Sequence, residues 1–435
     1  MKNKVLAIIS FFFTTHLLCA QFNKAQLDTF FDTLEKNQKF NGSVALSENG
    51  KIIYERSLGF ADFETKTQNN ADTKFRIGSI SKTFTAALIL KAEEEGKLNL
   101  EQKIDLYFPT IKNANKITIE NLLNHRSGIH SFTDDSSYLE WNTQPKTKEE
   151  LIALISNYNA DFEPDSKADY SNSNYVLLSF ILEEIYGKSY AEILNEKIIQ
   201  PLGLKNTKFG GEIKVSNKEA NSYKFEGNWV KESETDTSIP MGAGGIISTP
   251  ENLIKFGESL FDGKLISENS VLKMKEIKDG FGLGLFTFPF NDKKAWGHTG
   301  GIDGFSSMWG YFPNEKVSMA IISNGTDFNN NDIAIAMLSA VFNVPIKIPS
   351  FTNPENVVPG YTGVFSNSQL GMKITVTENE GTYFAQAEGQ SAFPLEKLNE
   401  FDFKFDLAGI QIQFAEDLKS FTLLQGGGKF LFLKE

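Results

Sequence analysis

Ser79-Ile80-Ser81-Lys82 is the sharpest chemical feature of the sequence. A serine hydroxyl is a weak nucleophile at neutral pH and needs a base beside it. If the segment is helical, Ser79 and Lys82 share one face, with the lysine amine one turn from the hydroxyl. A serine at a helix start also places its own backbone N–H where negative charge on a substrate oxygen can be stabilised. Ser and Lys at this spacing also arise by chance in long chains, as a helix cap followed by a surface lysine. The pair gains meaning only from its company.

Two further motifs keep it company. Tyr170-Ser171-Asn172 lies in a polar loop ahead of an apolar helical run at 175–186, and His298-Thr299-Gly300-Gly301 lies on a Gly-rich edge segment followed by Gly304. Together the three resemble the motifs of the penicillin-recognising serine hydrolases. The resemblance is to the class C β-lactamase and D-alanyl-D-alanine carboxypeptidase branch, with its related esterases and D-amino-acid peptidases. The likeness extends to Thr73-Lys74-Phe75-Arg76-Ile77-Gly78, Leu122-Leu123-Asn124-His125-Arg126-Ser127-Gly128, Pro201-Leu202-Gly203-Leu204 and Gly244-Gly245-Ile246-Ile247-Ser248-Thr249, and covers roughly 40–324.

The resemblance implies that Ser79 is the acylated nucleophile, Lys82 its proton partner and Tyr170 a sharer of the base role. A phenol beside an ammonium would have its pKa lowered. Asn172 would hydrogen-bond the substrate amide and Lys82. The backbone N–H groups of Ser79 and Gly301 would form the oxyanion hole, and His298 and Thr299 would contact substrate. Many relatives carry Lys where this chain has His298. An imidazole with its ordinary pKa of about 6.5 is mostly neutral at pH 7 and would hold a substrate carboxylate only when protonated. That departure points away from an efficient class C-like β-lactamase and towards a D-amino-acid peptidase, carboxypeptidase or esterase. The alternatives are a true β-lactamase and a non-catalytic penicillin-binding-like receptor.

Other residues of the motifs read as structural. Arg76 reads as a buried support behind the Ser79 segment, and Ser81 as a small packing residue. Trp141 and Trp296 read as packing residues, and Arg126 is open between support and carboxylate binding. Glu192-Ile193-Leu194-Asn195 falls on a helical run, which argues against a deacylating glutamate there. Only His125, His130 and His298 lie beyond residue 20, and no His-x-x-x-His pair exists, so neither a metal nor any other cofactor is expected.

These residues need elements to position them. Leu27, Phe30, Phe31 and Leu34 mark an amphipathic helix, and Glu48-Asn49-Gly50 separates two extended runs. Helical runs follow at 83–97, 149–157, 175–186 and 191–199. Extended character returns from 244 and again at 282–288, 306–311 and 317–323, before a last helix at 332–342. This order predicts an α+β fold, an antiparallel sheet flanked by helices with an inserted helical subdomain, spanning 21–345. A proline-rich linker is expected at 346–358. From 359 to 435 the apolar residues alternate, as in Ile374 and Val376, Ile410, Ile412 and Phe414, and Phe430 and Phe432. That pattern predicts a small all-β barrel, and after Tyr361-Thr362-Gly363 it resembles the lipocalin-like domain appended to such hydrolases.

The chain has 435 residues, 40% hydrophobic and 23% charged, which excludes a disordered or fibrous protein. Lys2 and Lys4 precede a mostly apolar stretch, and Ala20 ends it, so residues 1–20 read as a signal peptide and the protein as exported, periplasmic or extracellular. Membrane attachment would follow only from lipidation at Cys19, which Leu18 before it disfavours. The net charge of −12, with no Lys/Arg cluster, excludes nucleic acid as a partner. A small-molecule or peptide substrate is expected, a cell-wall peptide among the candidates.

Overall fold

The computed structural model describes residues 22–349, 351 and 360–435 apart from 369, 380, 388–391 and 427. The expected signal peptide, with Cys19, and most of the expected linker lie outside the described residues. A six-stranded antiparallel sheet organises the first part of the chain. Its strand order is Phe286–Phe290, Lys293–Ile302, Phe305–Phe312, Val317–Thr326, Phe40–Glu48 and Lys51–Leu58. The two ends of this part meet in the sheet, where Phe40 pairs with Thr326 and Glu48 with Val317.

Both faces of the sheet are covered, and the period of two sorts the side chains between them. Ala45, Trp309, Ala320 and Ile322 face the larger core, whereas Val44, Leu46, Met319 and Ile321 face the smaller one. The helices Lys24–Lys36 and Asn330–Val341 cover the smaller core, the first through the buried stripe Leu27, Phe30, Phe31 and Leu34. Helix Pro250–Phe261 lies on the other face. There Gly257 lets it approach the Trp309 indole, because an added Cβ would meet Trp309 Cζ2 at 2.0 Å.

The helix that follows Ser79 runs from Ser81 to Glu94 and is buried nearly all round. Such a helix is a central pillar, and Phe84 stacks on Phe256 with ring centroids 3.6 Å apart. Helix Asn172–Tyr186 packs beside it in the helical insertion. Two expectations are revised by local geometry. The run at 191–199 divides into helix Tyr190–Leu194 and a π turn, Asn195–Ile199. The run at 282–288 is a strand only from Phe286, because Gly284 turns at φ +68° against the Lys82 carbonyl and accepts a hydrogen bond from Thr83 Oγ1 (2.8 Å).

Eight strands from Gly363–Asn367 to Gly428–Lys434 close into a barrel in chain order. Its interior is filled by Tyr361, Phe365, Phe403, Phe414, Phe421 and Phe432, all but Phe414 under 1% exposed. The barrel touches the larger part at the loop after Thr326, where Asn329 Nδ2 donates to the Asp406 carbonyl (3.0 Å).

Candidate active site

Ser79 sits in a one-turn helix, Gly78–Ile80, that feeds the buried pillar Ser81–Glu94. This puts Lys82 one turn on and fully buried, with Nζ 3.0 Å from Ser79 Oγ. The same nitrogen reaches Asn172 Oδ1 (2.7 Å) and the Ala243 carbonyl (2.8 Å). Burial pulls the Lys82 pKa well below its ordinary value. A neutral amine fits these three contacts. Its two N–H groups serve Asn172 and Ala243, and its lone pair is left for the Ser79 hydroxyl.

Tyr170 stands on the other side of the serine. It lines the same half of the cleft as Ser79, and its ring lies 4.9 Å from Lys82 Nζ. The lowering expected for this phenol does not occur. Desolvation pushes the pKa up, against a smaller lowering from Ser79, and the lysine that was to supply the positive charge is itself pushed towards the neutral form. Burial thus shifts both neighbours of Ser79 towards their neutral forms.

Asn172 opens helix Asn172–Tyr186 and is held from two directions. Its N–H donates to Ser131 Oγ (3.1 Å) and its Nδ2 to Thr133 Oγ1 (2.8 Å). Sequence reasoning passed over Ser131 and Thr133, whose role depends on a loop 41 and 39 residues away.

His298, Thr299 and Gly301 lie on strand Lys293–Ile302. The neighbouring strand Phe286–Phe290 pairs with it only as far as Gly297, so the segment from His298 onward borders the cleft as a free edge. The outer strand tolerates Pro289 because it ends the sheet. Close approach dictates two glycines beside the serine. A Cβ on Gly300 would meet the Ile77 carbonyl at 2.1 Å and Ser79 N at 3.0 Å, and one on Gly78 would meet Gly301 N at 2.7 Å. Gly301 itself has open space, with nothing nearer than the Phe305 carbonyl at 3.9 Å. Ser79 and Gly301 are thus brought close together, and both line the cleft.

His298 is 2% exposed, with Nδ1 2.5 Å from the Thr299 carbonyl and its ring 4.4 Å from that of Phe286. Burial, with the nearby Lys82, pulls its pKa down to about 3. The protonated imidazole considered for carboxylate binding is therefore not populated between pH 5 and 8.

The cleft divides at Ser79. One half is bordered by Tyr170, Phe286, His298, Thr299 and the start of helix Asn330–Val341, with Asn329, Asn330 and Asn331. The other is bordered by Phe132, Thr133, Tyr138, Asn172, Glu232 and Asp303. Arg76 stands behind the second half, donating to the Thr235 carbonyl (2.5 Å), Asp303 Oδ2 (3.1 Å) and Glu234 Oε1 (2.5 Å). Arg126 is engaged by Asp165 and Asp279. Ser81 is buried and accepts from Ile246 N–H (3.1 Å). Glu192 caps its own helix through Ser189 N–H (2.9 Å). Trp141 packs on Tyr138, and Trp296 lies under Lys275. Among the described residues no group of His, Cys, Asp and Glu is placed to hold a metal.

Against known proteins, residues 27–342 match the family described as Beta-lactamase. The chain is 26% identical to Penicillin-binding protein 4* of Bacillus subtilis (strain 168), over 94% of this chain and 98% of that one. It is 29% identical to the teichoic acid D-alanine hydrolase of Staphylococcus aureus (strain MRSA252), over 70% and 75% respectively. Its fold is similar to that of the D-amino acid amidase of Ochrobactrum anthropi SV3 solved with D-phenylalanine. The TM-score is 0.66 at 26% identity, covering 73% of this chain and 99% of that one.

Proposed function

The chain belongs to the Beta-lactamase family and is a serine hydrolase, and on that premise we propose that it is exported and cleaves D-amino-acid peptides or esters through an acyl-enzyme at Ser79. The observation that carries this reading is the contact between buried Lys82 Nζ and Ser79 Oγ at 3.0 Å. Lys82 takes the hydroxyl proton as Oγ bonds to the substrate carbonyl carbon. The amides of Ser79 and Gly301 hold the resulting oxyanion. As the carbon–leaving-group bond breaks, the Tyr170 hydroxyl gives its proton to the departing nitrogen or oxygen and regains one from Lys82. Water then attacks the acyl ester by the reverse relay and frees Ser79. Asn172 orients the acyl group, and Thr299, exposed at the strand edge, meets the leaving group.

Electrostatics favours this class over β-lactams, which carry a carboxylate. Neither half of the cleft is bordered by Lys or Arg among the described residues, and His298 is neutral. The similar proteins named for D-alanine and D-amino acid chemistry support the D-configuration. Export is supported by the sequence of residues 1–20 and by the relatives named for penicillin binding and teichoic acid. No helix of the described residues is long and apolar enough to cross a membrane. Intact mass spectrometry with a fluorophosphonate, a penicillin and a D-alanyl peptide tests the reading. Labelling at Ser79 with turnover of the D-alanyl substrate is expected, whereas a stable penicillin adduct with no turnover of any probe would favour a receptor.

A further inference from the structure

The cleft half beside Asn172 carries two carboxylates, Glu232 and Asp303, and they are in different states. Asp303 is spoken for. Its side chain is 3% exposed, pairs with Arg76 at 3.1 Å, and accepts from Thr235 N–H (3.1 Å) and Thr235 Oγ1 (2.6 Å). Glu232 is half-buried, and its carboxylate makes no ion pair or hydrogen bond with a described residue. Among the described residues that line this half, it is the one carboxylate without an ion-pair partner.

Nor does it hang from a loose loop. Glu232 N–H donates to the Ser222 carbonyl (2.9 Å), and the residues just after it are clamped. Arg76 holds Glu234 and the Thr235 carbonyl, Asn142 Nδ2 donates to Thr235 Oγ1 (2.9 Å), and Asp236 N–H donates to the Asn142 carbonyl (2.9 Å). An anion fixed on such a wall selects for positive charge on the substrate and against negative charge.

We propose that Glu232 is a specificity-determining residue that receives a substrate ammonium, so that the acyl donors are aminoacyl esters or amides with a free amine near the scissile carbonyl. This rests on the hydrolase reading at Ser79 and narrows it. The acyl side follows from Asn172, which borders the same half. An N-acylated donor offers no cation to Glu232 and a carboxylate there is repelled.

The test compares kcat/KM for D-alanine methyl ester and N-acetyl-D-alanine methyl ester at pH 6.5, using the full-length protein and Glu232→Gln. The wild type is expected to prefer the free amine, and Glu232→Gln to lower that preference by about ten- to a hundredfold, the range for one charge-assisted contact. A purely structural role would lower both rates and leave their ratio alone, and an unchanged ratio overturns the proposal. Fluorophosphonate labelling at Ser79 separates the two readings. Labelling with an unchanged ratio, or with turnover of neither ester, overturns the Glu232 assignment alone. No labelling and no turnover overturns the hydrolase reading and this one with it.

Discussion

The His125 imidazole and the Tyr170 phenol ring lie 4.5 Å apart, centroid to centroid, and His125 also grips both chain neighbours of that tyrosine. Its carbonyl accepts from Asp169 N–H (2.9 Å) and its Nδ1 accepts from Ser171 N–H (3.1 Å). The histidine does this from a left-handed backbone, φ +58°, that brings both acceptors to one side. With Nδ1 accepting, the ring proton sits on Nε2. Burial drives the imidazole pKa well below its ordinary value.

If this clamp sets the aim of Tyr170, His125→Ala lowers kcat by on the order of 10- to 100-fold, the cost of misplacing a reacting group by about 1 Å. In a Tyr170→Phe background the same substitution costs little more, because the group it aims is gone. His125→Asn, which tolerates the backbone and keeps an acceptor at the Nδ1 position, recovers part of the loss. Additive losses in the double variant would show that His125 acts elsewhere.

Ser79→Ala is expected to abolish turnover and labelling, a loss on the order of 10⁴–10⁶ in rate, with the circular dichroism melt unchanged. The labelled peptide must carry the adduct on Ser79. Ser81 is buried with its hydroxyl accepting from Ile246 N–H, and an adduct there or on Ser171 would undo the site.

Lys82 must be neutral to act as the base, and burial lowers its pKa. On the acid side, kcat/KM therefore rises with pH through an apparent pKa far below the ordinary lysine value of 10.5. Lys82→Arg, charged throughout, is expected to be inactive across the whole range. Lys82→Ala and Tyr170→Phe serve one proton relay, so the double variant should be scarcely worse than the poorer single one. A profile that rises only near pH 10 would contradict the neutral amine.

The barrel meets the larger part at the loop that borders the cleft. Asn329 donates to the Asp406 carbonyl, and Lys39 pairs with half-buried Asp327 at 2.6 Å beside Lys404. A chain ending at Ile348 is expected to fold and to label at Ser79, since the serine's own contacts all lie before that point. Its KM should change for substrates with bulky leaving groups, which reach Asn329–331. An unchanged KM for every leaving group would make the barrel a bystander to catalysis.

What the sequence made legible was what depends on local spacing. Ser79 and Lys82 share a helical turn, Tyr170 precedes a helix start, and the alternation from Ile374 onward closes a barrel. The support behind these residues was not legible, because its contacts span the chain. Arg76 reaches Thr235 across 159 residues, and Lys82 reaches Ala243 across 161. Charge states were misread for the same reason. The sequence places a phenol near a lysine, but only the packed interior reveals that desolvation outweighs their attraction at Tyr170. Glu232 left no local signal, since its meaning comes from the cleft wall it joins.

His298 offers the sharpest pH test. Its pKa of about 3 lies below the ordinary 6.5, so in the folded protein it stays neutral from pH 8 down past pH 5. Affinity for carboxylate-bearing substrates should show no rise over that range that His298→Asn removes. Stability carries the opposite signature. Below pH 6.5 the unfolded chain takes up a proton at this position that the folded chain refuses, so folding weakens as pH falls from 6.5 towards 3. His298→Asn removes that liability, and its melting temperature should fall less between pH 7 and 4.5 than that of the wild type. His298→Lys would bury a second amine near Lys82, and is expected to lose activity on acidic and neutral substrates alike. If His298→Lys instead gained turnover of carboxylate-bearing substrates alone, the imidazole would be acting as a carboxylate site after all, and its buried, neutral state would not describe the working enzyme.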